Sequence, residues 1–204
     1  MASQLTERLA DVISRYDLLQ HPFYVAWSEG TLPVEALKSY ASEYGNFIGR
    51  VGAGWRAFGE ETIAVEEDEH AVLWGEFAQA LGTQVQAPKV AEVTHLTNTV
   101  DGYFADPVTA RGALYAFEAQ QPFTSASKLE GLDTHYTALG AEVRPYFEIH
   151  VNDTAEPALI LEQLNTLSEG EQDRAVAACE DTCKALYDAL SGIYAPFAPA
   201  HACE

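Results

Sequence analysis

The sequence predicts an all-α protein, a bundle of about seven to eight helices. Three observations carry that prediction. Apolar residues recur at helical spacing through nearly every segment. Capping residues, prolines and glycines punctuate those segments where helices should start and stop. No apolar–polar alternation persists long enough for a strand, and no internal repeat is present. Hydrophobic residues make up 48% and aromatics 11% of 204 residues, enough for a core and too much for a disordered chain. One domain over residues 1–195 and a tail over 196–204 are expected.

The elements follow in order. Ser3 is placed to cap a first helix toward Leu19, with Leu5, Leu9, Ile13 and Tyr16 on one face. Pro22 and Gly30 break the next stretch. Thr31 and Pro33 then open a long helix, with Thr31 as its cap. Gly45, Gly49, Gly52 and Gly54 lie along it. Each glycine costs up to about 1 kcal/mol inside a helix, so this run points to close helix–helix contact. Glu60 to Leu81 is a further helix, closed by Gly82, and Val90 to Phe104 is the next. Asp106-Pro107 is a cap-plus-proline start for the helix carrying Glu118. Pro122 kinks that helix or begins a new one ending near Gly131. After Gly140 come a short element from Glu142 to His150 and a helix leading to Leu164. Ser168-x-x-Glu171 is a capping box for the last helix, which runs to about Ile193.

The charge balance excludes several functions. Lys+Arg number 11 against 31 Asp+Glu, a net charge of −20 that repels phosphate backbones and anionic membranes. Neither nucleic acid nor membrane is expected as a partner. A small-molecule substrate is expected, with a homodimer as the further candidate assembly. No apolar run approaches the ~20 residues of a membrane helix. The N-terminal residues carry scattered charges without a signal-peptide core, so a cytoplasmic location is expected. Cys179, Cys183 and Cys203 are odd in number and lack a C-x-x-C pair, which argues against a disulfide framework or zinc knuckle. Cys179 and Cys183, one turn apart, read as small buried residues. His201 and Cys203 sit in a Pro/Ala tail and are not taken as ligands.

Three constellations can carry chemistry. Glu67-x-x-His70 puts a carboxylate and an imidazole on one helix face, where both can reach one metal ion. A solvated acidic face with a surface histidine has the same spacing. Glu118 stands among Leu114, Ala116, Phe117 and Ala119. A buried acid there needs a partner: a metal, or else Lys128, Arg111 or a tyrosine hydroxyl. His150, Asp153 and Glu156 drift along one side of a helix if the backbone stays helical. Alternatively, Asp153 and Glu156 form a capping box ahead of Pro157. Together these are four carboxylates and two histidines from three segments, a donor set that suits Fe(II) or Mn(II) better than zinc in a thiolate site. Of the tyrosines, Tyr40 and Tyr44 share a face, and Tyr24 follows His21-Pro22-Phe23 at a helix break. Core packing is the first reading for each.

Four stretches, in this order, carry a resemblance: HPFYVAWSEGTLPVEALKSYASEY, EHAVLWGEFAQALG, ALYAFEAQQPFTSASKLEGL and YFEIH. They resemble the TenA/PqqC-type haem-oxygenase-like fold, and more closely its metal-dependent branch of di-metal oxidases and oxygenases. The resemblance spans nearly the whole chain. It implies a seven-helix bundle without haem, a labile di-iron site, O2 activation, and action on small amino-acid-like or fatty-acid molecules. Carried over, His70, Glu118 and His150 match ligand positions directly. Glu67 matches members with a three-residue Glu–His spacing; the wider spacing of others falls on Ile63. The family's third ligand helix reads His-x-x-x-Asp-x-x-His, and this chain departs from it, with Thr154 and Pro157 at those positions. Asp153 and Glu156 substitute through a one-residue shift. One subgroup makes para-aminobenzoate from its own tyrosine, with a lysine ten residues after the central glutamate as apparent amino donor. Lys128 has that spacing from Glu118, and Tyr24 matches the consumed tyrosine. Tyr40 is expected to line the cavity with them.

Two other functions are weighed against this oxidase. A thiaminase-like hydrolase of the same fold needs a cysteine nucleophile in the pocket, and the cysteines begin only at Cys179. A non-catalytic binding protein is favoured by the irregular third ligand segment alone.

Overall fold

A computed structural model of the protein describes residues 3–199; His201 and Cys203 lie outside them. Among the described residues the elements are all helical: α1 (Gln4–Arg15), α2 (Pro22–Ser28), α3 (Val34–Ile48), α4 (Val51–Arg56), α5 (Glu61–Ala80), α6 (Ala91–Tyr103), α7 (Pro107–Glu118), α8 (Gln121–His135), α9 (Pro145–His150), α10 (Ala155–Asn165) and α11 (Glu169–Tyr194). Short 3-10 turns cover Leu18–Gln20 and Thr137–Leu139. The segments outnumber the expected rods because rods break. The glycine-rich rod divides at Gly49–Arg50 into α3 and α4, and the Glu118 rod divides at Ala119–Gln120 into α7 and α8. No helix among the described residues is long and apolar enough to cross a membrane.

Three helix starts follow the capping chemistry read from the sequence. Ser3 Oγ accepts the Thr6 N–H, Asp106 accepts from Val108 and Thr109, and Ser168 and Glu171 form the reciprocal capping box. Thr31 does not cap α3: its hydroxyl donates to the Ala26 carbonyl at the end of α2, and α3 begins at Val34. α8 continues past Gly131 to His135, because Gly131 serves contact rather than termination; a Cβ there would lie 2.5 Å from the Trp27 ring. His21 caps α2, its Nδ1 accepting the Phe23 N–H at 3.0 Å. The ring proton therefore sits on Nε2, which donates to Ser191 Oγ at 2.9 Å.

The core is one aromatic-rich cluster in which Trp27, Trp55 and Trp74 are all fully buried. α7 and α11 approach closely at Gly112, where a Cβ would lie 1.9 Å from the Ala175 carbonyl. The expected close contact at the α3–α4 glycines holds at Gly45 against Trp74, Gly52 against the Ala64 carbonyl and Gly54 against Phe104. Cys179 and Cys183 are buried, as their spacing predicts, with Cys183 directed at the Ala116 carbonyl of α7. What matters for function is where helices stop: α7 ends at Glu118, α9 ends at His150, and Glu156 lies in the first turn of α10.

Candidate metal centre

The middle of α5 carries the first pair. Helical geometry puts Glu67 and His70 one turn apart, and Glu67 Oε1 lies 2.7 Å from His70 Nδ1. The His150 ring stands 4.7 Å from that of His70. One ligand atom from each of Glu67, His70 and His150 falls within 4.8 Å of the others. Two of the three segments expected from sequence to meet thus supply the tight trio, α5 giving Glu67 and His70 and α9 giving His150.

Glu118 joins from the end of α7. It is 2% exposed, and its Oε1 accepts the Trp55 indole N–H at 3.2 Å. The partners anticipated from sequence as alternatives to metal, Lys128, Arg111 or a tyrosine hydroxyl, are not bonded to it: Lys128 faces aromatic rings, and Arg111 is bonded to Gln163 and stacked on Phe58. Glu156, itself buried, acts on Glu118 through its charge. Two carboxyl groups buried beside each other cannot both carry their charge without a proton or a cation to offset it.

The segment after His150 corrects two expectations. The helix does not continue from His150 to Glu156; it stops and restarts as α10, because Pro157 is tolerated only in a first turn. Nor does an Asp153–Glu156 capping box form. Thr154 flanks α10 without a side-chain cap bond, Asp153 accepts the Ala155 N–H at 3.3 Å, and Glu156 turns inward to Glu118. Asp153 stays at the rim, half-buried, and acts on Glu118, Glu156 and His70 through its charge.

The electrostatics describe a pocket short of positive charge. Burial pushes the Glu118 carboxyl well above its usual range, with Glu156 and Glu67 adding repulsion. Burial and Glu67 push Glu156 up to about 8. Burial lowers the His70 imidazole, but the bond and charge of Glu67, with Glu156 and Asp153, outweigh it and leave His70 above its ordinary value. His150 is lowered to about 4 by burial, against the opposing bond to the Tyr146 carbonyl. That bond, at 2.6 Å from His150 Nδ1, fixes the tautomer: Nδ1 donates and Nε2 is a bare lone pair. Nε2 is buried and has no hydrogen-bond partner. α7 and α9 also end here, adding the negative ends of two helix dipoles. An orphaned imidazole lone pair, crowded carboxylates and two helix C-termini fit a divalent cation bound by oxygen and nitrogen.

A second buried group lies on α8. Lys128 is 2% exposed, so it is not the surface lysine that a kinked helix allows. Its Nζ faces three rings, at 5.0 Å from Tyr24, 5.6 Å from Tyr40 and 5.2 Å from Phe147. Burial lowers its pKa to about 7, with no charged partner acting against it. Tyr24 and Tyr40 join hydroxyls at 3.2 Å, and both are buried. Burial raises both phenols. The two regions are connected by rings in contact: His150 to Tyr146 at 4.5 Å, Tyr146 to Trp74 at 4.7 Å, and Trp74 to Tyr40 at 5.3 Å.

Sequence reasoning missed Trp55, Tyr146 and Trp74. Tyr146 had a usable signal, its position one turn before His150. Trp55 and Trp74 had none, since their roles depend on contacts across helices. The cysteine that a hydrolase needs is absent from this pocket among the described residues, because Cys179 and Cys183 sit against α7 instead.

The architecture is that of the TenA-type haem-oxygenase-like proteins. A TenA homologue from Pseudomonas syringae superposes with a TM-score of 0.77 over 94% of this chain and 93% of its own, at 16% identity. A domain with a heme oxygenase-like fold from Shewanella denitrificans gives 0.78 over 97% and 94%, also at 16% identity. No family model matches the sequence. Curated relatives do: a 4-aminobenzoate synthase from Nitrosomonas europaea is 30% identical over 97% of this chain and 94% of its own length. One from Chlamydia muridarum is 26% identical over 96% and 92%. The chain belongs to the 4-aminobenzoate synthase family.

Proposed function

We propose that this chain is a metal-dependent oxidoreductase that forms 4-aminobenzoate from its own Tyr24, taking nitrogen from Lys128. The observation that carries the reading is the buried Lys128 amine, lowered to about 7 and held 5.0 Å from the ring of a buried tyrosine. The family name of the relatives supplies the product. That product carries nitrogen where tyrosine has its phenolic oxygen, and a carboxylate where tyrosine has Cβ. Making it requires an amine at the phenol end, oxidation of Cβ and cleavage of the Cα–Cβ bond, a net oxidation.

Glu67, His70, Glu118, His150 and Glu156, with Asp153 at the rim, would hold a di-iron or Fe/Mn pair, which when bound supplies the O2 reduction that this oxidation needs. The remaining work belongs to the chain. With its pKa lowered to about 7 by burial, the Lys128 amine reaches its free lone-pair form near neutral pH. The Tyr40 hydroxyl fixes the Tyr24 phenol by its 3.2 Å hydrogen bond. Burial of all three shields an oxidised ring from bulk solvent, whose water would compete with the amine. Tyr40, Trp74 and Tyr146 offer an electron a path of touching rings from Tyr24 toward His150.

The test is isotopic. Protein made with 13C-tyrosine and 15N-lysine is loaded anaerobically with Fe(II), then given O2 and a reductant. The 4-aminobenzoate released should carry labelled ring carbon and labelled nitrogen, and Tyr24→Phe should release none while still binding iron. Unlabelled product, or product from Tyr24→Phe, overturns the reading.

A further inference from the structure

One face of α8 is a buried polar stripe. Gln121, Ser125 and Lys128 are spaced by four and three residues and all point inward. Gln121 Nε2 donates to the Tyr146 hydroxyl at 2.9 Å, at the end nearer His150. Lys128 lies at the other end, among the rings of Tyr24, Tyr40 and Phe147. Ser125 stands between them, fully buried, and its hydroxyl has no hydrogen-bond partner.

That is unusual for a helical serine, which ordinarily bonds a carbonyl of the preceding turn. Its neighbour Thr124 does so, donating to the Gln121 carbonyl at 3.2 Å. Ser125 does not: its Oγ is buried without a backbone partner, on the helix face that also carries Gln121 and Lys128. Side chains three apart on a helix are neighbours, with Cβ atoms about 5–6 Å apart, a span that one water molecule bridges. A buried water needs two to four polar partners, and Ser125 Oγ, Lys128 Nζ and the Gln121 side-chain carbonyl are on the stripe to provide them.

We propose that Ser125 is a positioning residue for the Lys128 amine, acting through one buried water held between them. The water accepts an N–H of the amine and donates to Ser125 Oγ. The amine's lone pair is thereby left facing the Tyr24 ring rather than the helix. No bond is made or broken in this role. The importance given to the amine rests on the proposed function; the water and its effect on Lys128 do not.

The titratable groups that bear on Lys128 are Tyr24 from α2, Tyr40 from α3 and, through its charge, His150 from α9. All three remain in the variants. A high-resolution structure of the metal-free protein should contain an ordered water within hydrogen-bond distance of both Ser125 Oγ and Lys128 Nζ. Ser125→Ala should lose that water. Nuclear magnetic resonance titration of labelled lysine should then find Lys128 deprotonating about one pH unit lower, because the water solvates the ammonium form. Ser125→Thr, which keeps the hydroxyl, should titrate as the parent does. Ser125 bonded to the Gln121 carbonyl, or Ser125→Ala titrating unchanged, overturns the proposal. Product from Tyr24→Phe would instead sink the function and leave the Ser125 water standing.

Discussion

The carboxylate–histidine centre and the Lys128 chamber are both buried and both rich in titratable groups, yet they are short of opposite things. In the centre, Glu67, Glu118 and Glu156 crowd together, and Glu118 and Glu156 are forced toward their neutral forms. In the chamber a single amine is surrounded by ring faces and forced toward its own neutral form. Burial disfavours charge in both places, but its sign differs with the ion. The centre calls for a cation. The chamber already holds one, and burial weakens it. On the proposed function, the first region binds metal and the second supplies the amine.

The most severe way to break this division is to delete one member of each region. His150→Ala and Lys128→Ala should both reduce 4-aminobenzoate below detection. They should differ in iron: His150→Ala should lose most of its bound metal, counted by elemental analysis, and Lys128→Ala should keep it. Equal iron content in the two variants would erase the distinction.

A smaller effect separates the regions by pH in the metal-free protein. The Glu156 carboxyl is raised from 4.5 to about 8, so the folded state holds a proton that the unfolded state has released. Its stabilising contribution is full below 4.5 and is lost as pH rises toward 8. Lys128 is lowered from 10.5 to about 7, so the unfolded state binds the extra proton and stability gains as pH rises from 7 toward 10.5. Denaturant unfolding at a series of pH values should therefore find that Glu156→Gln flattens the lower window and Lys128→Met the upper one. Saturating Fe(II) or Mn(II), at about 100 times its dissociation constant, should raise the melting temperature by roughly 5–10 °C in the parent. That gain should survive Lys128→Met.

The smallest expected effect is at Trp55. Trp55→Phe keeps the ring and removes the donor to Glu118, so metal affinity should fall by about 10–100-fold, the usual range for a partner that orients a ligand. Titration with Fe(II) or Mn(II) measures it. An unchanged affinity would mean that the Trp55 indole does not orient Glu118 for the metal.

How much of this was legible follows from the range of each interaction. Glu67 and His70 could be paired because helix geometry alone sets their separation. Glu118 could be singled out by its apolar neighbours, since burial of an acid demands a partner whatever the fold. The capping box at Ser168–Glu171 and the start at Asp106 rest on local hydrogen bonds and came out as read. The stretch from Asp153 to Pro157 follows neither of the two local patterns open to it, a continuous helix or a capping box: Pro157 allows only a restart, and Glu156 is buried beside the charge of Glu118.

The sequence by itself determined the helical class, the punctuation of most helices and which side chains were candidates, because those depend on residues within a turn or two of one another. The tertiary structure decided the rest. It supplied Trp55 to Glu118 across 63 residues of chain, and left His150 Nε2 bare by tying Nδ1 to a carbonyl. It also enclosed Lys128 in rings drawn from α2, α3 and α9. A partner's identity and the loss of water around a charge are properties of what packs against a residue, and no local spacing encodes them.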